Sequence, residues 1–102
     1  PHLVGRGGDL GKRLVDRIAR RCRERSVQLL VVLQGQDPLP FALEVLRHAE
    51  ANGVATLDLA SRHRERLAAD AGLQAKWFRG HMTREGNGWV AGEVAAALRA
   101  RR

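Results

Sequence analysis

Val27-Gln28-Leu29-Leu30-Val31-Val32-Leu33 is the stretch on which the fold turns. Apart from Gln28 it is wholly aliphatic and too short to stand as a helix, and runs of this kind are strands covered on both faces, as in parallel sheets. Gln34-Gly35-Gln36-Asp37-Pro38-Leu39-Pro40 then makes a loop at the strand's C-terminal end, which is where open α/β sheets bind their ligands.

Beyond that loop, Ala42, Val45, Leu46 and Ala49 recur at helical spacing and predict a helix over 39–51, stopped by Asn52-Gly53. Val54 to Leu59 reads as the next strand, ending at Asp58. A strand, a helix and a second strand in that order call for a right-handed crossover and a parallel pair. Upstream, Asp9 is placed to cap a helix from Leu10 to Glu24 with Leu10, Leu14, Val15, Ile18 and Cys22 as its buried stripe. Arg13, Arg17, Arg20 and Glu24 fall on the opposite, solvated side. Residues 1–8, with Gly5, Gly7 and Gly8, read as an irregular lead-in. Gly5-Arg6-Gly7-Gly8 lacks the preceding strand and the following Gly-Lys-Ser/Thr of a phosphate loop and is a plain loop on this reading.

Downstream, Ser61 opens a third helix over 62–71 with Leu67 and Ala68 inward, and Gly72 closes it. Lys76-Trp77-Phe78 reads as a short extended piece along the core. A last helix, Arg84 to Arg99, has Val90, Val94 and Leu98 as its buried side, beside Trp89 and Ala97. The whole is α/β, one soluble unit over residues 1–102, with two to three strands and four helices. Two parallel strands leave long unpaired edges, so the sheet is expected to be completed by an N-terminal part of the same domain or by a second copy. Pro1 in place of Met is in keeping with a processed chain, an engineered start or a piece of something longer.

Composition narrows the function classes. The 102 residues are 44% hydrophobic and 28% charged, the balance of a globular domain, and no apolar run reaches the roughly 20 residues that span a bilayer. A net charge of +7 could draw an anionic polymer. Nucleic acid is nevertheless disfavoured, because the arginines lie on solvated helix faces and there is neither an aromatic platform nor a groove-reading motif. The single cysteine, Cys22, excludes an internal disulfide and suits a small buried hydrophobe. His and Cys share no metal-ligand spacing and no nucleotide fingerprint occurs, so no cofactor is expected.

Near the C-terminus stands Arg79-Gly80-His81-Met82-Thr83-Arg84-Glu85-Gly86-Asn87-Gly88-Trp89-Val90-Ala91. Thr83 can cap the helix that starts at Arg84, fixing the loop that carries His81. Through His81, Thr83, Gly86, Asn87, Val90 and Ala91 this segment resembles the last block of the SGNH (GDSL-type) ester hydrolases and acyltransferases, in which a His is followed by Ser/Thr-x-x-Gly-Asn/His and a short apolar helix. The resemblance implies the C-terminal part of a three-layer, flavodoxin-like parallel sheet. It also implies His81 as general base toward an acyl or acetyl ester.

The rest of that machinery is not in this chain. No Gly-Asp-Ser block or oxyanion block occurs, Ser26 and Ser61 are placed at helix and strand ends, and Asn87 belongs to the last helix. The family's acid three residues before the histidine is replaced by Phe78. Asp58, at its strand's end, is the one acid nominated to orient His81; its other role is to cap the turn into the next helix. His48 and His63, in charged helical surroundings, read as surface residues, and His2 is terminal. Alternatives to the enzyme are a catalytically degenerate binding module of the same kind and a small basic α/β domain for an anionic polymer.

Overall fold

The computed structural model describes residues 2–35, 38, 40–79 and 81–100. It is mixed α/β and mostly helical, and the chain divides into two compact units, Pro1–Asp58 and Leu59–Arg102.

In the first unit α1 (His2–Glu24) leads to β1 (Leu30–Leu33), then α2 (Pro40–Ala51) and β2 (Ala55–Asp58). The two strands are parallel, in register from Leu30 opposite Ala55 to Leu33 opposite Asp58. Pro40 takes the first helical position, where a missing N–H costs nothing. Both helices hand over to their strands in the same way. At the end of α2 the Val54 N–H donates to the Ala49 carbonyl and the Gly53 N–H to that of Glu50, each at 3.0 Å, with Gly53 at φ 80°. At the end of α1 the Val27 N–H donates to the Cys22 carbonyl at 2.8 Å and the Ser26 N–H to that of Arg23 at 3.2 Å. Here Ser26 takes the left-handed position, φ 55°. This is the paired Schellman closure, usually built on glycine. Val27 and Val54 are spent on it and Leu59 already belongs to α3, and the strands are shorter than expected from 27–33 and 54–59.

α1 corrects three expectations. The glycine-rich start is helical rather than an irregular lead-in, and Asp9 lies inside the helix rather than capping it. The glycines serve close packing: a Cβ on Gly11 would lie 2.6 Å from Val45 Cγ2, and one on Gly7 would sit 3.6 Å from the Phe41 ring. Tertiary contact therefore outweighs the low helix propensity of glycine. The stripe turned to α2 is Gly8, Gly11, Val15 and Ala19, while Leu10, Leu14 and Ile18 are 60%, 50% and 49% exposed. Lys12 faces Glu44 (3.7 Å) and, one turn on, Asp16 faces His48 (2.8 Å), so the two helices run in the same sense. His48 is thus half-buried and paired across the helix interface rather than free at the surface. Leu33, Leu46, Ala49, Ala55 and Leu57 are buried within this unit. Among the described residues β1 pairs with β2 alone.

The second unit holds α3 (Leu59–Ala69), α4 (Leu73–Trp77), a short antiparallel hairpin of β3 (Phe78–Arg79) and β4 (His81–Met82), and α5 (Arg84–Arg99). Ser61 lies inside α3 rather than ahead of it, since the helix follows β2 without a break and Asp58, a favoured helix-start residue type, already stands at the junction. The buried side of α3 is Leu59, Ala60 and His63, whereas Leu67 is half-buried and Ala68 exposed. The Gly72 N–H donates to Asp70 Oδ1 at 3.0 Å and turns the chain into α4. Lys76 and Trp77 are therefore helical, and only Phe78 is extended. α5 has the expected bounds, but Leu98 is 44% exposed.

Candidate functional site

His81 opens β4, with its Cα opposite Arg79 in the hairpin. Its side chain is exposed, and no described residue hydrogen-bonds its ring. Thr83, immediately after β4, holds the hairpin down from both sides. Its Oγ1 donates to the Lys76 carbonyl at 2.6 Å and accepts the Gly86 N–H at 3.2 Å, while its own N–H donates to the Trp77 carbonyl at 2.7 Å. This is the expected N-cap, with an additional bond back to α4.

Two further residues of the block, Gly86 and Asn87, complete the fastening. Gly86 is buried where a Cβ would stand 2.8 Å from Met82 Cγ, 2.9 Å from the Trp77 carbonyl oxygen and 3.0 Å from Trp77 Cβ. Only glycine lets α5 approach the hairpin and the end of α4 this closely. Asn87 Nδ2 donates to the Met82 carbonyl at 3.4 Å. Thr83, Gly86 and Asn87 thus fix the strand that carries His81 to the first turn of α5.

Phe78, three residues before His81, is drawn into a different cluster. It stacks on the His63 ring with centroids 4.8 Å apart and planes at 28°. Trp77 and Trp89 approach the same imidazole at 5.5 and 5.3 Å and stack on each other at 5.0 Å. His63 is 3% exposed and its Nε2 has no hydrogen-bond partner. This corrects the reading of His63 as a surface residue: although its neighbours Arg62, Arg64, Glu65 and Arg66 face outward, it shares the inward side of α3 with Leu59, one turn earlier. That i to i+4 relation was the available signal. Burial pushes the His63 imidazole below its ordinary value of 6.5, because no charge replaces the lost water.

Asp58, the second nominated residue, ends β2 at the C-terminal edge of the parallel pair and is half-buried; it closes the first unit, whereas His81 belongs to the second. On the α2 side of β1 an open, apolar cleft of about 280 Å³ is lined by Gly7, Gly11, Val31, Leu33, Phe41 and Val45, among others. Among the described residues no three His, Cys, Asp or Glu side chains gather as a metal ion would require, and no helix is long and apolar enough to cross a membrane. Comparison of the chain with protein-family models, with curated proteins and with solved structures returned no match.

Proposed function

We propose that this chain is the C-terminal part of an SGNH-like ester hydrolase or O-acyltransferase, in which His81 acts as general base for a serine carried by a part of the same domain not contained in these residues. The single observation that carries this reading is the fastening of His81. A threonine cap, a glycine that admits close contact and an asparagine amide all act on the two-residue strand bearing that imidazole. A base must be held in a set direction to take a proton from a hydroxyl, and such an arrangement limits its motion.

The sheet supports the same reading. β1 and β2 are parallel, and the apolar outer edge of β1 calls for further strands, as in a three-layer flavodoxin-like sheet. Leu10, Leu14 and Ile18 offer an apolar helix face on the same unit for the completing part to cover. His81 is open to solvent, so these residues enclose no site by themselves, and the serine-bearing part has to cover the hairpin. Phe78 occupies the position of the family's acid, so His81 is oriented by a backbone carbonyl or by another acid.

The substrate class is an acyl or acetyl ester, and the test is p-nitrophenyl acetate hydrolysis by the protein that includes the serine-bearing part. His81→Ala there lowers kcat/KM by roughly three orders of magnitude or more, and turnover that survives the substitution refutes the assignment. The packing of Phe78 on His63 favours one second reading, a degenerate member that binds the ester without cleaving it. That reading predicts saturable ester binding with no release of p-nitrophenol.

A further inference from the structure

We propose that His63 makes the second unit acid-sensitive: taking up a proton, it unseats α3 from the aromatic cluster and releases the hairpin that carries His81. The proposal rests on packing alone and stands whether or not His81 is a catalytic base.

The geometry at Nε2 suits the neutral ring and not an imidazolium. Its two nitrogens would both be donors, yet Nε2 is buried with no partner, and the surrounding rings supply no acceptor: an indole N–H only donates and a phenyl ring has no lone pair. The rings of Phe78, Trp77 and Trp89 lie 4.8, 5.5 and 5.3 Å from the imidazole and would offset part of the cost of a cation, but none of them gives a buried N–H an acceptor. Loss of water is the one cause that moves this group, and it favours the neutral ring.

Charged groups on the surrounding elements do not change that sign. On α3 Arg62 is spent on Glu93 of α5, Nη1 to Oε2 at 2.6 Å, and Arg64, Glu65 and Arg66 are exposed. On α4 Lys76 is exposed; on α5 Arg84 and Glu85 are exposed. In β3, Arg79 follows Phe78 in sequence.

Phe78 is half of the first hairpin strand and Trp77 precedes it, so the rings that hold His63 are also those that anchor β3. A base whose neutral form is the folded one contributes its full stability above its unfolded value, near 6.5, and loses it as pH falls toward the folded value. The active window is therefore mildly acidic, from about pH 6.5 downward.

Both tryptophans of the chain lie in this cluster and report on it directly. Urea unfolding of the full chain is followed by tryptophan fluorescence between pH 8 and pH 5 for the wild type, His63→Phe, His48→Gln and His81→Gln. In the wild type the unfolding constant is constant above about pH 7 and rises by up to tenfold per pH unit below about 6.5. His63→Phe removes that rise and the other two variants keep it. A wild type whose midpoint is flat or increases in acid overturns the proposal, as does a rise that persists in His63→Phe. Should that variant not fold, proton NMR of the wild type decides: the His63 ring signal is expected to move only together with loss of the native indole dispersion. Reversible titration with the indole signals intact overturns the proposal.

Discussion

Replacing the glycines of α5 one at a time by alanine isolates the contact that fixes the His81 hairpin. Gly86, Gly88 and Gly92 lie in one helix, and a Cβ at Gly88 or Gly92 would meet nothing within 4 Å. At those two positions the substitution brings only its helix-propensity gain, about 1 kcal/mol of added stability each. At Gly86 the same methyl group would stand 2.8 Å from Met82 Cγ, 2.9 Å from the Trp77 carbonyl oxygen and 3.0 Å from Trp77 Cβ. Two of those three atoms belong to the end of α4 and cannot swing aside as a side-chain tip would. Overpacking of this kind costs about 1–3 kcal/mol, and separating the first turn from Thr83 forfeits a capping bond worth about 1 kcal/mol more. The expected net loss is about 2 kcal/mol, against a gain at the two neighbours. The assay is urea unfolding watched by tryptophan fluorescence. With a slope of about 1 kcal/mol per molar, the midpoint of Gly86→Ala falls by about 2 M while those of Gly88→Ala and Gly92→Ala rise by about 1 M. A Gly86→Ala protein as stable as the wild type refutes the close approach, and with it the account of how His81 is held.

The first unit contains no tryptophan, so its variants are followed by far-UV circular dichroism. Gly11→Ala, whose Cβ would lie 2.6 Å from Val45 Cγ2, is expected to cost about 1–3 kcal/mol. Gly8→Ala meets a mobile Glu44 carboxylate at that distance and is expected to change little or to stabilise; equal costs at the two sites would contradict the packing described. Ser26→Gly relieves a left-handed serine (φ 55°) and stabilises by about 1 kcal/mol, whereas Gly53→Ala, at φ 80°, destabilises by a similar amount. Thr83→Val keeps the shape and removes both hydroxyl bonds, one to Lys76 and one from Gly86. Its thermal midpoint drops by several degrees, matching about 1–2 kcal/mol, and an unchanged midpoint would mean that the cap carries no weight.

The elements most legible in the sequence were those whose signals are local. The apolar run before Gln34, the Asn52-Gly53 stop and the Thr83 cap each correspond to a feature of the structure, down to the bounds of α5. What misled was chemistry that looks the same from two causes. Gly5, Gly7 and Gly8 carry the mark of a loop, but glycine also permits two helices to touch, and only the partner helix decides between these. Hydrophobic size points to the Leu10, Leu14 and Ile18 side of α1 as the buried one, whereas α2 packs on the smallest residues, Gly8, Gly11 and Ala19. At His63 the charged neighbours in sequence concealed a position one turn after Leu59 on the inward side of α3. The Phe78 substitution of the expected acid was visible, but its packing on His63 was not, because ring contacts across elements leave no periodic trace.

The border of β1 has a consequence for handling the protein. Among the described residues Leu30-Val31-Val32-Leu33 pairs on one side only and holds no charge or proline, two of the features by which natural sheets discourage further strands from adding on. Short segments of this composition nucleate cross-β stacking when left bare. Expressed without whatever covers that border, the chain should form thioflavin-positive deposits on warming, and a lysine at Val31 should keep it dispersed.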